Sequence, residues 1–212
     1  MADWVTISAL ATAGGTLVLA GATFASVRSA NRAARVAERS LLAGLRPLLM
    51  PSRQDDSPQK ITFVDEKYLA VKGGEGAAEA SSEAVYLAIS VRNAGTGIAV
   101  LHGWRFYPER LTGVGGGDPP PVEEFSRLTR DIYVPAGDVG FWQGAFRDPA
   151  VPEFAAATAA IAARNPLTVD ILYGDHEGGQ RTISRFGLLP RDDGAWIAAA
   201  ARHWNVDRDD PR

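Results

Sequence analysis

Between Trp4 and Val27 the chain runs for 24 residues without one ionisable side chain. An α-helix rises about 1.5 Å per residue, so such a run crosses a hydrocarbon core about 30 Å thick. Nine of its positions are Trp, Val, Ile, Leu or Phe, and the other fifteen are Ala, Gly, Thr or Ser. The hydroxyls of Thr6, Ser8, Thr12, Thr16 and Thr23 can bond back to the preceding turn of backbone, which lowers their cost in lipid. A buried soluble helix rarely goes so far without a charge. A cleaved signal peptide needs a positive start, and the charge preceding this run is Asp3. The reading is a transmembrane helix over residues 4–27 and a single-pass location in the cell membrane.

Orientation follows from the flanks. Arg28, Arg32, Arg35 and Arg39 follow the run and no basic residue precedes it. The positive-inside bias then puts the N-terminus outside and the remainder in the cytoplasm, with those arginines among anionic headgroups. Residues 28–46 read as a basic juxtamembrane helix, rich in Ala and stopped by Gly44 and Pro47. Ala11 with Gly15, and Gly21 with Ala25, repeat small residues at the spacing that lets two helices approach in lipid, so the span is a possible route to a homo-oligomer.

After Pro47 the pattern changes from helix to strand. Glycine (22 residues) and proline (13) suit a turn-rich β domain over residues 47–190. Val85 to Val91 is the clearest strand, apolar at nearly every position and so expected at the centre of a sheet. Ile98 to Tyr107 follows it as a hairpin partner or a crossing between sheets. Gly73 to Ser82 reads as a loop, Pro152 to Arg164 as a short inserted helix, and Leu167 to Tyr173 with Gln180 to Phe186 as a last hairpin. Leu87, Ile89, Trp104, Ile171 and Tyr173 are expected in the core. Residues 191–212 read as a C-terminal helix capped by Asp193, with Trp196, Ala200 and Trp204 on one face, and then a charged tail. About eight short strands with turns between them predict an antiparallel β-sandwich of immunoglobulin-like topology.

The helix ending in Leu45-Arg46-Pro47, the run Val91-Arg92-Asn93-Ala94-Gly95-Thr96-Gly97-Ile98-Ala99, and Arg202-His203-Trp204-Asn205 before a charged tail resemble a group of uncharacterised bacterial single-span membrane proteins. The resemblance implies an immunoglobulin-like domain on a membrane anchor and no activity.

Little in the sequence promises chemistry. There is no cysteine, which excludes disulfides, thiolate nucleophiles and Cys-ligated metals. Residues 1–46 carry five arginines against Asp3 and Glu38, a balance of +3; the total is −3, so the remainder carries −6 and makes a poor nucleic-acid surface. His102, His176 and His203 show no metal-ligand spacing. Asp170, Asp175, His176 and Glu177 are the densest potential ligands, and on a hairpin turn they read as a solvated turn. Gly113 to Gly117 lacks the spacing and lysine of a phosphate loop. No catalytic, cofactor or metal residue is therefore nominated. The expected function is a non-enzymatic, membrane-anchored module on the cytoplasmic face that binds or scaffolds an unknown protein partner. The alternative is an enzyme or small-ligand sensor built from loops 111–130 and 174–179.

Overall fold

The structure is a computed structural model that describes residues 3–111 and 118–207. It divides into two units, Met1–Gly44 and Leu45–Arg212.

The first unit is one continuous helix, α1 (Trp4–Gly44). Its 41 residues span roughly 60 Å at 1.5 Å per residue. It is long and apolar enough to cross a bilayer, and none of its apolar window is buried. The backbone carbonyl of Asp3 accepts from the amides of Thr6 and Ile7 at its start. Four of the five expected hydroxyl returns are present: Ser8 to the Val5 carbonyl, Thr12 to Ser8, Thr16 to Thr12 and Thr23 to Leu19, at 2.8–2.9 Å. These four bonds satisfy their hydroxyls within the helix, which lowers the cost of placing them in hydrocarbon.

The second unit is mainly β. Its strands are β1 (Leu49–Pro51), β2 (Gln59–Thr62), β3 (Tyr68–Val71), β4 (Glu75–Ala80), β5 (Val85–Asn93), β6 (Ala99–Tyr107), β7 (Ser126–Val134), β8 (Val139–Phe146), β9 (Leu167–Gly174), β10 (Thr182–Pro190) and β11 (Trp196–Asn205). The helix α2 (Pro152–Ala162) lies between β8 and β9. All strands but β2 and β3 join one curled antiparallel sheet, ordered β1-β5-β4-β11-β10-β9-β6-β7, with β8 on β5. β4 pairs Val85–Ile89 of β5 and β1 pairs Val91–Asn93, so they share one edge of that strand while β8 takes the other. β5 does not pair with β6: the chain crosses between them instead of turning as a hairpin. The paired, separate sheets of an immunoglobulin-like sandwich are replaced by one sheet curled around one core.

The core forms on the inner face. Leu87, Ile89, Trp142, Ile171, Tyr173, Phe186 and Leu188 are fully buried there, and Trp104 is 6% exposed. The β2–β3 hairpin covers the outer face of β5 and β8, packing Ile61, Phe63, Leu69 and Val71 on Ala88. A third cluster, Phe125, Leu172, Ile183 and Trp204, covers the outer face of β9–β11.

Two corrections come from small residues. Gly73–Ser82 is not all loop, because Glu75–Ala80 is β4. A Cβ at Gly76 would lie 2.3 Å from Leu188 Cδ2, so the missing side chain is what lets the strand sit against the core. The expected C-terminal helix is strand β11. A bulge leaves Ala201 without a partner between Ala200, opposite Phe186, and Arg202, opposite Arg185. An extra residue flips the alternation. Trp196 therefore enters the main core and Trp204 the outer cluster, not one shared face. The helical four-residue spacing of Trp196, Ala200 and Trp204 is a bulged strand with aromatics on both faces. Asp193 caps the β10–β11 turn instead, accepting from the Ala195 amide at 3.1 Å.

The run Asn93–Gly97 also acquires a cause. The buried Asn93 amide oxygen accepts from the amides of Leu48 and Gly95, and its nitrogen donates to the carbonyls of Gly97 and Val134. A Cβ at Gly97 would lie 1.7 Å from the Leu45 carbonyl oxygen, and one at Gly95 2.4 Å from that of Arg46. This glycine turn is where the Leu45–Leu48 segment rests on the sheet.

Candidate functional site

The ligand candidates of the β9–β10 region are not brought together. Asp170, fully buried on β9, makes a bidentate pair with Arg185 on β10, with two contacts of 2.7 Å. The Arg185 guanidinium also stacks over Trp204 and Tyr107, at 4.8 and 5.4 Å from the ring centroids. Asp175 is 2% exposed, not solvated as expected. Its carboxylate accepts from the amides of Glu177 and Gly179 and from Gln180 Nε2, at 2.8–3.1 Å. It closes the turn from within, while Gly178 takes a positive φ of 83°. His176 and Glu177 remain outside it, as a surface pair 3.2 Å apart. Among the described residues no three His, Asp or Glu side chains could hold a metal ion.

Two histidines acquire surroundings that sequence spacing did not reveal. His203 Nδ1 lies 2.6 Å from Ser184 Oγ, which bonds Tyr173 Oη at 2.7 Å. Tyr173 in turn accepts from the Leu49 amide at 3.1 Å. Through the fully buried Ser184, this serine–histidine contact ties together β1, β9, β10 and β11. Burial pushes the Tyr173 phenol above its ordinary value. His102 lies over the β9–β10 turn, where a Cβ on Gly174 would be 3.0 Å from its Nε2. Burial, and then the Arg181 charge, hold its pKa below the ordinary value, against Asp131 and Asp175.

Of the first loop expected to build a site, residues 112–117, with Gly113–Gly117, lie outside the described residues. Its two ends are fixed. The Leu111 amide donates to Thr168 Oγ1, and Thr168 Oγ1 donates to the Glu109 carbonyl. At the other end Val122 and Phe125 pack on Leu172 and Ile183. A cavity of about 530 Å³ lies here, with His102, Glu123 and Arg127 as its ionisable lining. Among the described residues, one histidine and one carboxylate thus meet at this cavity.

The feature with the most interaction potential is the seam between β7 and β8, the two ends of the curled sheet. Within the sheet β7 pairs with β6 and β8 with β5, so each leaves an edge facing the other. Near the turn the seam is shut: a Cβ at Gly140 would lie 2.8 Å from Val134 Cγ2. Farther along, Arg130 Nη2 donates to Gln143 Oε1 across it at 3.0 Å, with the guanidinium 5.4 Å from the Phe141 ring. Beyond that clasp the strands part around a cavity of about 140 Å³, between Ser126–Thr129 and Gly144–Arg147. Trp104 lines it, edge-on to Trp142 and tilted against Phe146 at centroid distances of 5.4 and 5.0 Å. A second hollow of about 490 Å³ shares Trp104, Ser126 and Phe146 and extends the groove toward Phe106, Tyr107 and Val151. Sequence reading missed this groove because it arises from the sheet failing to close. Compared with protein-family models, with characterised proteins and with solved structures, the chain matches none.

Proposed function

We propose that the protein is a single-span, membrane-anchored, non-enzymatic module whose β domain binds or scaffolds another protein at the cytoplasmic face. One observation carries this reading: a helix with none of its apolar window buried precedes a domain whose buried carboxylates are consumed in structural bonds. Asp170 with Arg185 and Asp175 with its turn make such bonds. Apolar surface of that extent is stable only when it is taken out of water. Arg28, Arg32, Arg35 and Arg39, each exposed, supply the cytoplasmic bias and meet anionic headgroups. The residues after Arg46, at −6 in sum, are repelled by the same headgroups and leave the domain free for a partner.

The sensor or enzyme alternative keeps the 530 Å³ cavity beside His102 as its support. The two readings separate in cells. Photocrosslinkers placed over the β domain of the full chain give discrete protein adducts if it is an interaction module. Absence of any adduct, together with a small molecule that raises the melting temperature of the wild type but not of His102→Ala, would establish the alternative.

A further inference from the structure

We infer that the open end of the β7–β8 seam is a docking groove for an extended, acidic segment of a partner protein, which adds as a strand to the free edge of β8. This rests on the interaction-module reading above and names its surface.

The two edges of the seam differ. Four residues of β7, Leu128–Asp131, bulge out between Ile132 and Arg127, opposite the lone His102 of β6. A bulge with charged side chains is how natural sheets blunt an edge. β8 has no such device: it pairs with β5 in unbroken register from Val139 to Phe146. Its free side offers Gly144, Ala145 and Phe146 to the cavity. A regular edge beside an aromatic lining is the geometry of strand addition, in which backbone bonds give affinity and alternate side chains enter pockets. The gap beyond the Arg130–Gln143 clasp runs over Gly144–Phe146, the last three residues of β8, and Arg147 after it, about 13 Å at 3.3 Å per residue.

Charge selects the occupant. The cavity is lined by Arg127 and Arg147 and by no carboxylate, although the residues after Arg46 sum to −6. Arg147 is engaged by Asp65 at 3.0 Å. Arg127 is exposed and Arg130 is bonded to a neutral amide, so among the described residues neither arginine of β7 is held in an ion pair. An extended segment lying against β8 faces them across its other edge. Alternating acidic and apolar side chains meet both requirements, arginine on one side and Trp104 with Phe146 in the lining. In the second hollow Glu124 is held by Arg105, and Glu153 lies on the α2 side. Glu153 turns an acidic segment toward the β7 arginines.

The test uses the full chain in lipid nanodiscs with a fluorescein-labelled synthetic peptide that alternates glutamate with valine. Binding is read by anisotropy and located by amide hydrogen exchange. The expected result is binding that slows exchange at residues 144–147. Arg127→Glu should weaken it at least about tenfold, and methylating alternate peptide nitrogens should abolish it. Unchanged exchange at residues 144–147, or equal binding of a lysine–valine peptide, overturns the proposal. So does peptide-free dimerisation that protects those amides, which would give the edge to a second copy. A photocrosslinker at Thr129 in cells should yield a protein adduct and one at Asp192, on the β10–β11 turn, none. Adducts from Asp192 alone would sink the groove and spare the module. Adducts from neither would sink both.

Discussion

The helix and the β domain use apolar side chains in opposite ways. In α1, Leu10, Leu17, Leu19 and Phe24 are each 68–74% exposed. In the sheet, Leu87, Ile89 and Ile171 are fully buried. The domain satisfies its own hydrophobic surface, and the helix leaves its surface to an environment it does not itself provide. At about 25 cal/mol per Å², an exposed apolar helix in water forfeits the largest favourable term in folding. Stability should therefore reside in the domain, and location in the helix.

The largest expected effect breaks the two apart. Removing residues 1–44 should leave a fragment, 45–212, that is soluble without detergent and unfolds cooperatively, while the full chain sediments with membranes. A full chain that stays in the supernatant would remove the basis of the comparison.

Within the fragment, interior changes come next. Asp170→Ala strands the Arg185 charge among Tyr107 and Trp204 and should cost about 3–5 kcal/mol in urea unfolding. Leu87→Ala should cost about 2–5 kcal/mol. The matching change in the full chain, Leu17→Ala, should leave the domain's midpoint within about 0.5 kcal/mol of wild type. Equal losses at Leu17 and Leu87 would show that the two units share one core.

Smaller effects sharpen the reading of the β9–β10 turn. Asp175→Ala leaves the amides of Glu177 and Gly179 without their acceptor and should cost about 1–3 kcal/mol. His176→Ala with Glu177→Gln, both on the surface, should shift the midpoint by less than about 0.5 kcal/mol. The melting temperature should not respond to zinc, calcium or chelator. A metal-dependent rise abolished by the double change would move the ligand-site reading to first place.

The smallest effect is set by pH. Folding holds the His102 pKa below its ordinary value of about 6.5, so above that value the imidazole is neutral in both states and contributes nothing. As pH falls below about 6.5 the unfolded chain takes up the proton first and stability declines until the folded-state pKa is reached. His102→Gln should flatten that part of the stability curve. An unchanged slope would assign it to other groups.

These contrasts also explain what was legible in the sequence. The α1 run and β5 could be read directly, because an uncharged stretch and a β-branched stretch each say one thing. The start of α2 was legible from Pro152. Its end came two residues early, where Arg164, at φ 55°, donates to the carbonyls of Arg191, Gly194 and Ala195. β4 and β11 were misread because alanine and glycine carry a helix or loop propensity that tertiary packing overrode. Their small side chains are there to fit beneath Leu188 and the core. The seam was invisible because no local pattern records which two strands of a curled sheet fail to meet. The buried roles of Asp170, Asp175 and Ser184 depend on partners across the strand register or on how the turn folds.

The most direct test of the account is the side of the membrane on which the β domain lies. Sealed right-side-out and inside-out vesicles bearing the full chain would be treated with protease and probed for the β domain. The account predicts protection in right-side-out vesicles and digestion or release in inside-out ones, with Arg28, Arg32, Arg35 and Arg39 changed together to Gln scrambling the pattern. Digestion in right-side-out vesicles of the unmodified protein would contradict it.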